Sequence, residues 1–235
     1  MRALIDADLV AFRCAASAEK EEEWVSLHRA DALMQEIIGA VSADNYSAYL
    51  TGSNNFRKEI DPEYKANRKD RVLPLHLRAT KEYLIMQWKA ILCEGYEADD
   101  ALGIEATKDK NTVICSLDKD LLQIPGKHYN WVKKEFKTIT PDNGLLAFYT
   151  QTLVGDTSDN ITGVVGIGPV KAGKALNGLL PEEYYQTCRE MYNDDERYYN
   201  NCRLLWIWRE LGGTWDLQLH SGSTEQGEAR EVPCE

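Results

Sequence analysis

Two short apolar runs that each run into an aspartate constrain this chain more than any other feature. Residues 2–5 read as a strand closing on Asp6. Residues 112–115 read as another, followed at once by Ser116-Leu117-Asp118. The second run is continuously apolar and suits a parallel sheet buried on both faces. Residues 46–50 read as a further strand. Helical periodicity fills the gaps: from about Asp8, over 31–41 with Leu33, Ile37, Ile38 and Val41 on one face, and from Pro74 to about Ala90 with Leu77, Leu84, Ile85 and Trp88 buried. Strands alternating with helices predict an α/β class built on a mostly parallel sheet. Residues 51–55 read as a turn, and 56–73 as an exposed, mobile basic stretch. From about residue 141 the strand pattern stops. Helices are expected at 141–154, 168–178, 181–191 and 194–211, with a Gly-rich segment at 163–169, and 216–235 reads as a flexible polar tail.

The acidic residues fall where such a sheet would gather them. Sites in parallel sheets form outside the carboxyl ends of the strands. Asp6, Asp118 and Asp120 should meet there with Glu97, Asp99 and Asp100, which open a helix at 97–106. Asp156 and Asp159 would fold over the same edge from the helical region. Eight neighbouring carboxylates stay ionised only if cations share the site. Oxygen ligands without His or Cys suit Mg²⁺ or Mn²⁺ and argue against Zn²⁺. Two such ions about 4 Å apart suit phosphodiester hydrolysis. Taken singly, each piece has a plainer reading. Asp6 is a turn or cap, Asp118 and Asp120 a solvated loop, 97–100 an ordinary helix start, and Asp156 and Asp159 turn residues. Their joint order moves the balance.

The chain has 235 residues, enough for one large domain or a domain with an appendage. A formal net charge of −11 argues against a polyanionic partner, but the charge is uneven. Residues 57–89 carry nine Lys/Arg against five Asp/Glu, whereas 216–235 carry one Arg against five acids. No run of 18 apolar residues exists, so no membrane partner is expected. The first residues are too short and acidic a run for a secretory signal. Six cysteines without a CxxC pair read as reduced thiols of a cytoplasmic protein.

Five segments, in order, resemble the 5′ nuclease family: flap endonucleases, bacteriophage 5′–3′ exonucleases and the 5′-nuclease domain of bacterial DNA polymerase I. They are Leu4-Ile5-Asp6-Ala7-Asp8, Pro62-Glu63-Tyr64-Lys65-Ala66-Asn67-Arg68, Glu94-Gly95-Tyr96-Glu97-Ala98-Asp99-Asp100, Ser116-Leu117-Asp118-Lys119-Asp120-Leu121-Leu122-Gln123, and the run from Gly155-Asp156-Thr157-Ser158-Asp159 to Gly166-Ile167-Gly168-Pro169. The phage branch is the nearest in compactness. The resemblance implies a PIN-like (resolvase-like) mostly parallel sheet flanked by helices at 1–140, with a helical arch at about 57–90. It implies an α-helical helix–three-turn–helix subdomain at 141–215.

By the same resemblance, Asp6, Glu97 and Asp99 would serve a first Mg²⁺ or Mn²⁺, and Asp118, Asp120 and Asp156 a second. Asp100 and Asp159 would act directly or through water. Lys65 and Arg68 would be catalytic, meeting the scissile phosphate. Tyr64 would stack on a base or simply pack within the arch. Gly166 and Gly168 would let a DNA phosphate approach the next helix start, with Lys171 and Lys174 adding contacts that position without reading sequence. The carbonyls of Val165 and Ile167 would hold K⁺. The implied activity is a 5′–3′ exonuclease or structure-specific flap endonuclease acting on DNA with a free 5′ end, whether duplex, nicked or flapped. RNA of RNA–DNA hybrids is a further substrate class, and replication proteins are implied partners.

One departure stands out. The family's acid between the second strand and Phe56-Arg57 is absent, leaving Thr51 or Asn54 to offer a neutral oxygen. Asp8 is an extra acid that reads as a helix cap. That gap keeps open a DNA-binding protein with a degenerate nuclease fold. A PIN-type ribonuclease is a third reading.

Overall fold

The structure is a computed structural model that describes residues 1–215; the segment expected to be a tail, 216–235, lies outside the described residues. Strand β1 (Arg2–Asp6) alternates its side chains between two apolar clusters, with Ala3 and Ile5 on one face and Leu4 on the other. In β2 (Asn45–Asn55), Ala48 and Leu50 face one cluster and Tyr49 the other. Strand β3 (Ile91–Gly95) precedes β4 (Thr112–Cys115), where Val113 and Cys115 oppose Ile114. With β5 (Gly126–Asn130) and β6 (Glu135–Ile139) they form one sheet in the order β3-β2-β1-β4-β5-β6. All pairings are parallel except β5 with β6. The mostly parallel α/β sheet expected from the sequence is therefore present.

Helices α1 (Ala7–Ser17) and α2 (Glu23–Ala40) cover one face. After the short α3 (Arg57–Ile60), α4 (Leu77–Trp88) joins them through the fully buried Leu84. Helix α5 (Ala98–Lys108) covers the other face through Ala101 and Leu102. Beyond β6 the described residues are mainly helical: α6 (Pro141–Val154), α7 (Pro169–Leu176), α8 (Tyr184–Tyr192) and α9 (Asp195–Leu205). They enclose an aromatic core of Phe148, Tyr149, Tyr198, Trp206, Trp208 and Trp215, in which Phe148 meets Trp206 edge-on at 4.9 Å. Each such ring buries a large apolar area and prefers this offset geometry.

Several local expectations differ. Residues 51–55 continue β2 rather than turning, because β3 pairs with them, with a register shift between Thr51 and Asn55. Strand β3 carries an exposed Ile91 and Leu92 and so lacks the alternation that would have marked it. The stretch 56–73 is largely exposed, as expected, but it also contains α3, a 3-10 turn at Ala66–Arg68, and buried Arg57 and Tyr64. Ile85 is 37% exposed rather than core. Two-residue strands β7 (Gly155–Asp156) and β8 (Ile161–Thr162) pair antiparallel within the region expected to be strand-free. Cys14, Cys93, Cys115, Cys188 and Cys202 are free and buried, as expected of reduced thiols. No described helix is long and apolar enough to cross a membrane.

Candidate active site

The site grows from the carboxyl ends of β1 and β4, which are neighbours in the sheet. Asp6 ends β1 and caps α1: one carboxylate oxygen accepts the Leu9 amide at 3.1 Å, the other the Ser116 hydroxyl at 2.7 Å. Ser116 Oγ in turn accepts the Asp118 amide, and Asp118 accepts the Asp120 amide at 2.8 Å. One hydroxyl thus registers the acid of one strand against those of the next. Glu97 is the N-cap of α5 and Asp99 lies in its first turn, where the helix dipole favours negative charge. Asp156 comes from β7 and accepts the Ser158 amide and hydroxyl at 2.8 and 2.6 Å. It also shares a hydrogen bond with Asp120.

These groups are close enough to govern one another's ionisation. Burial pushes the Asp6 carboxyl up to about 7, with Asp8 and Asp118 adding to the shift against the Ser116 hydrogen bond. Burial, then Asp118 and Asp156, pushes Asp120 up to about 8. Asp99 is held well above the usual carboxylate range by burial and by Asp6, Asp118 and Glu97. Asp159 is raised by burial, against the pull of Lys65 and Arg68. Glu97 differs: burial opposes its charge, but Lys65 and Arg57 outweigh it and hold the carboxyl low. Asp156 is also low, because hydrogen bonds from Ser158 and Asp120 outweigh burial. Seven acids therefore form one connected electrostatic set.

That donor set is all oxygen, and its charge is only partly compensated, which fits hard divalent cations. Among the described residues, no three acidic, His or Cys side chains already enclose a point where an ion would sit.

Asp100 leaves the set expected from the sequence. It is fully buried, and its oxygens accept both guanidinium nitrogens of Arg57 at 2.7 and 2.9 Å, together with the Glu97 and Trp208 amides at 3.0 Å each. No lone pair is left facing the site, so it anchors the Glu97 turn and the 206–208 segment instead of a metal. Arg57, missed in the sequence, also donates to the Leu204 and Trp206 carbonyls at 2.7 and 2.8 Å. Only the Phe56-Arg57 pairing hinted at it. Tyr64 is 3% exposed, so it cannot stack on a base; its hydroxyl lies 3.1 Å from a Glu97 oxygen and 3.0 Å from an Asp159 oxygen and shares its single proton between them. Lys65 pairs with Glu97 and Asp159, and Arg68 with Asp159.

A Cβ on Gly52 would lie 2.5 Å from the Cys93 carbonyl and 2.6 Å from a Glu94 oxygen, so no side chain fits there as the strands are paired. Thr51 is already used, its hydroxyl accepting the Ala98 amide at 3.0 Å. Asn55, rather than the exposed Asn54, reaches the site and donates to Glu97 at 2.7 Å. Asp8 is no cap. It accepts the Thr51 amide at 2.8 Å and pairs with Lys81 at 2.5 Å.

The Gly-rich segment leads into α7 with Gly168 as N-cap. Gly166 has φ +78°, a left-handed conformation that glycine adopts without cost, and nothing crowds it. Val165 is 84% exposed, and Lys171 Nζ donates to the Gly166 carbonyl at 2.9 Å. Lys171 and Lys174 are exposed on the same helix.

A family model described as "5′-3′ exonuclease, N-terminal resolvase-like domain" matches residues 2–149. The chain belongs to the 5′–3′ exonuclease family. A 5′-3′ exonuclease of Mycoplasma pneumoniae is 30% identical over 200 residues, 72% of this chain and 68% of the relative. An exodeoxyribonuclease of Enterobacteria phage T3 is 29% identical over 193 residues, 75% of this chain and 62% of the relative. A bacteriophage T5 flap endonuclease, crystallised as a pseudo-enzyme–product complex with DNA and metal ions, superposes with a TM-score of 0.58 at 18% identity, over 88% of each chain. That last likeness is one of fold, and it extends past the family's N-terminal domain into the helical region.

Proposed function

We propose that this exonuclease-family chain is a divalent-metal-dependent 5′ nuclease that hydrolyses DNA phosphodiester bonds at or near a free 5′ end. The observation that carries this reading is the coupled set of seven carboxylates at the sheet edge, with Lys65 and Arg68 beside it. Asp6, Glu97 and Asp99 would hold one Mg²⁺ or Mn²⁺, Asp118, Asp120 and Asp156 the other, and Asp159 would assist from the rim. When bound, the ions would supply an activated water and charge stabilisation for the leaving oxygen.

The chain's own residues supply the rest. Ser116 fixes the Asp6 and Asp118 carboxylates relative to each other. Arg57 and Asp100 hold the helix start that presents Glu97 and Asp99. Lys65 and Arg68 bring positive charge to where a scissile phosphate would lie, which favours the more highly charged transition state. The open loop at Gly166 and the amides opening α7 offer a backbone-phosphate seat, reinforced by Lys171 and Lys174. Such contacts read structure rather than sequence. The carbonyls of Val165 and Ile167 are the candidate K⁺ ligands, next to the Gly166 carbonyl that Lys171 holds. The chain is read as two functional parts, a nuclease part at 1–140 and a DNA-holding helical part at 141–215, in a cytoplasmic setting.

The test is digestion of 5′-labelled duplex, nicked, flapped and RNA–DNA substrates with Mg²⁺ or Mn²⁺, followed by sizing of products. Released mononucleotides mean exonuclease action, and intact flaps mean endonuclease action. A second reading, DNA binding without turnover, is favoured by the absence of any acid over residues 49–57, which leaves the first acid set one member short. Multiple turnovers by the purified protein with Mg²⁺ would exclude it.

A further inference from the structure

Lys65 is held unusually firmly for a lysine awaiting a substrate. Its backbone is left-handed, with φ +58°, a conformation rare outside glycine and asparagine. Its amide donates to the Asp159 carbonyl at 2.9 Å. Its ammonium pairs with one oxygen of Glu97 and lies 3.6 Å from Asp159. Asn55 donates to the same Glu97 carboxylate and Arg68 to the same Asp159 carboxylate, and the Tyr64 hydroxyl, with one proton, lies within hydrogen-bond distance of both acids. Both acids thus already have donors from the chain.

The surrounding segment is tied down at both ends. On one side Asn67 and Arg68 donate to the Thr157 and Ser158 carbonyls at 2.7 and 2.9 Å. On the other, Arg71 sits 5.2 Å over the Phe12 ring, the Leu75 amide donates to Glu19 at 3.1 Å, and His76 is bonded to the Glu21 carbonyl. Residues 65–76 therefore bridge from the Asp156–Asp159 loop to the far part of α1, and the bridge aims Lys65 at the acids.

We propose that Lys65 is the internal counter-cation of the carboxylate edge: its ammonium holds Glu97 and Asp159 until a divalent cation displaces it, and displacement frees it to meet the substrate phosphate. Metal loading and delivery of Lys65 then become one coupled event, and the coupling is reciprocal. This inference rests on the metal-dependent reading above. Lys81 supplies the comparison: it pairs with Asp8, which acts on Asp6 but is not itself assigned to a metal, so its removal should change Mn²⁺ binding less.

The test is Mn²⁺ titration of the full chain without DNA, followed by electron paramagnetic resonance, for wild type, Lys65→Met and Lys81→Met. Wild-type Lys65 reactivity toward an acylating reagent is measured alongside, with and without saturating Mn²⁺. Removing one cation from the acids should tighten Mn²⁺ binding about tenfold in Lys65→Met, and by less than about twofold in Lys81→Met. Saturating Mn²⁺ should raise acylation of Lys65 in the wild type, a readout that does not depend on how the variant folds. Equal or weaker binding by a folded Lys65→Met, or Lys65 acylation indifferent to Mn²⁺ in a wild type that binds it, would overturn the counter-cation role while leaving the nuclease reading intact. A wild type that binds no Mn²⁺ would overturn both.

Discussion

Glu97 and Asp99 lie two residues apart at the start of one helix, and their surroundings drive them in opposite directions. Glu97 faces Lys65, Arg57 and the Tyr64 hydroxyl, and stays ionised despite burial. Asp99 faces Asp6, Asp118 and Glu97, and resists ionisation. The rim of the site thus pairs its acids directly with its own cations, whereas on the floor burial and neighbouring carboxylates outweigh the pull of Lys119 on Asp120 and of Lys65 on Asp99. Charge must reach the floor from outside, while at the rim it must be exchanged. This division follows from which chain segments cross the sheet edge, since every rim cation comes from residues 57–68.

The comparison breaks most visibly at Arg57. Replacing it with Met leaves Asp100 and Glu97 buried beside an apolar chain, and should cost about 3–5 kcal/mol of stability, measured by urea unfolding. Next, paired substitutions should have opposite signs. Glu97→Gln should destabilise the metal-free protein by about 1–3 kcal/mol, because it removes the partner of Lys65 and Arg57. Asp99→Asn should leave it unchanged or more stable by up to about 1 kcal/mol, because it removes a repelled charge. Equal losses in both would show that rim and floor are not distinct.

The pH response sharpens the same contrast. Asp6 and Asp120 are raised to about 7 and 8, so their favourable contribution is complete below their unfolded pKa near 4 and is lost as pH rises through 7 to 8. The metal-free melting temperature should therefore fall between pH 6 and 8.5, by roughly 2–4 °C for each kcal/mol lost. Mg²⁺ should restore more of it at pH 8.5 than at pH 6, and Asp120→Asn should flatten the slope. The smallest effect belongs to the helical region. Lys171→Ala or Lys174→Ala should weaken DNA binding evenly across sequences and lower the slope of log affinity against log salt by about 1 each, measured by fluorescence anisotropy.

The floor acids were legible because their position depends on short-range facts: an apolar run, its length, and an acid at its carboxyl end. Asp6, Asp118 and Asp120 could be placed that way, and β4 falls where its apolar run predicts. The roles of Asp100 and Tyr64 were not legible, because they are set by partners distant in sequence. Asp100 meets Arg57, 43 residues before it, and Trp208, 108 residues after. Nothing in a Glu-Ala-Asp-Asp run says which Asp turns inward. Strands β5 and β6 escaped notice for another reason: neither has an apolar run, since β5 reads Gly-Lys-His-Tyr-Asn and β6 exposes four of its five residues, and their hairpin turns through Lys134 at φ +56° rather than through a glycine. The tight fit at Gly52 was equally hidden, because it depends on the Cys93 carbonyl of the paired β3.

Metal-dependent phosphodiester hydrolysis at the carboxylate edge is read out by cleavage of a 5′-labelled nicked DNA duplex with Mg²⁺, by wild type, Asp118→Asn and Asp156→Asn, each shown to be folded by circular dichroism. The expected result is Mg²⁺-dependent release of 5′-labelled product by the wild type and a loss of at least about a thousandfold in both variants. Cleavage that is undiminished in both folded variants, or that persists in the wild type after chelation of divalent cations, would contradict it.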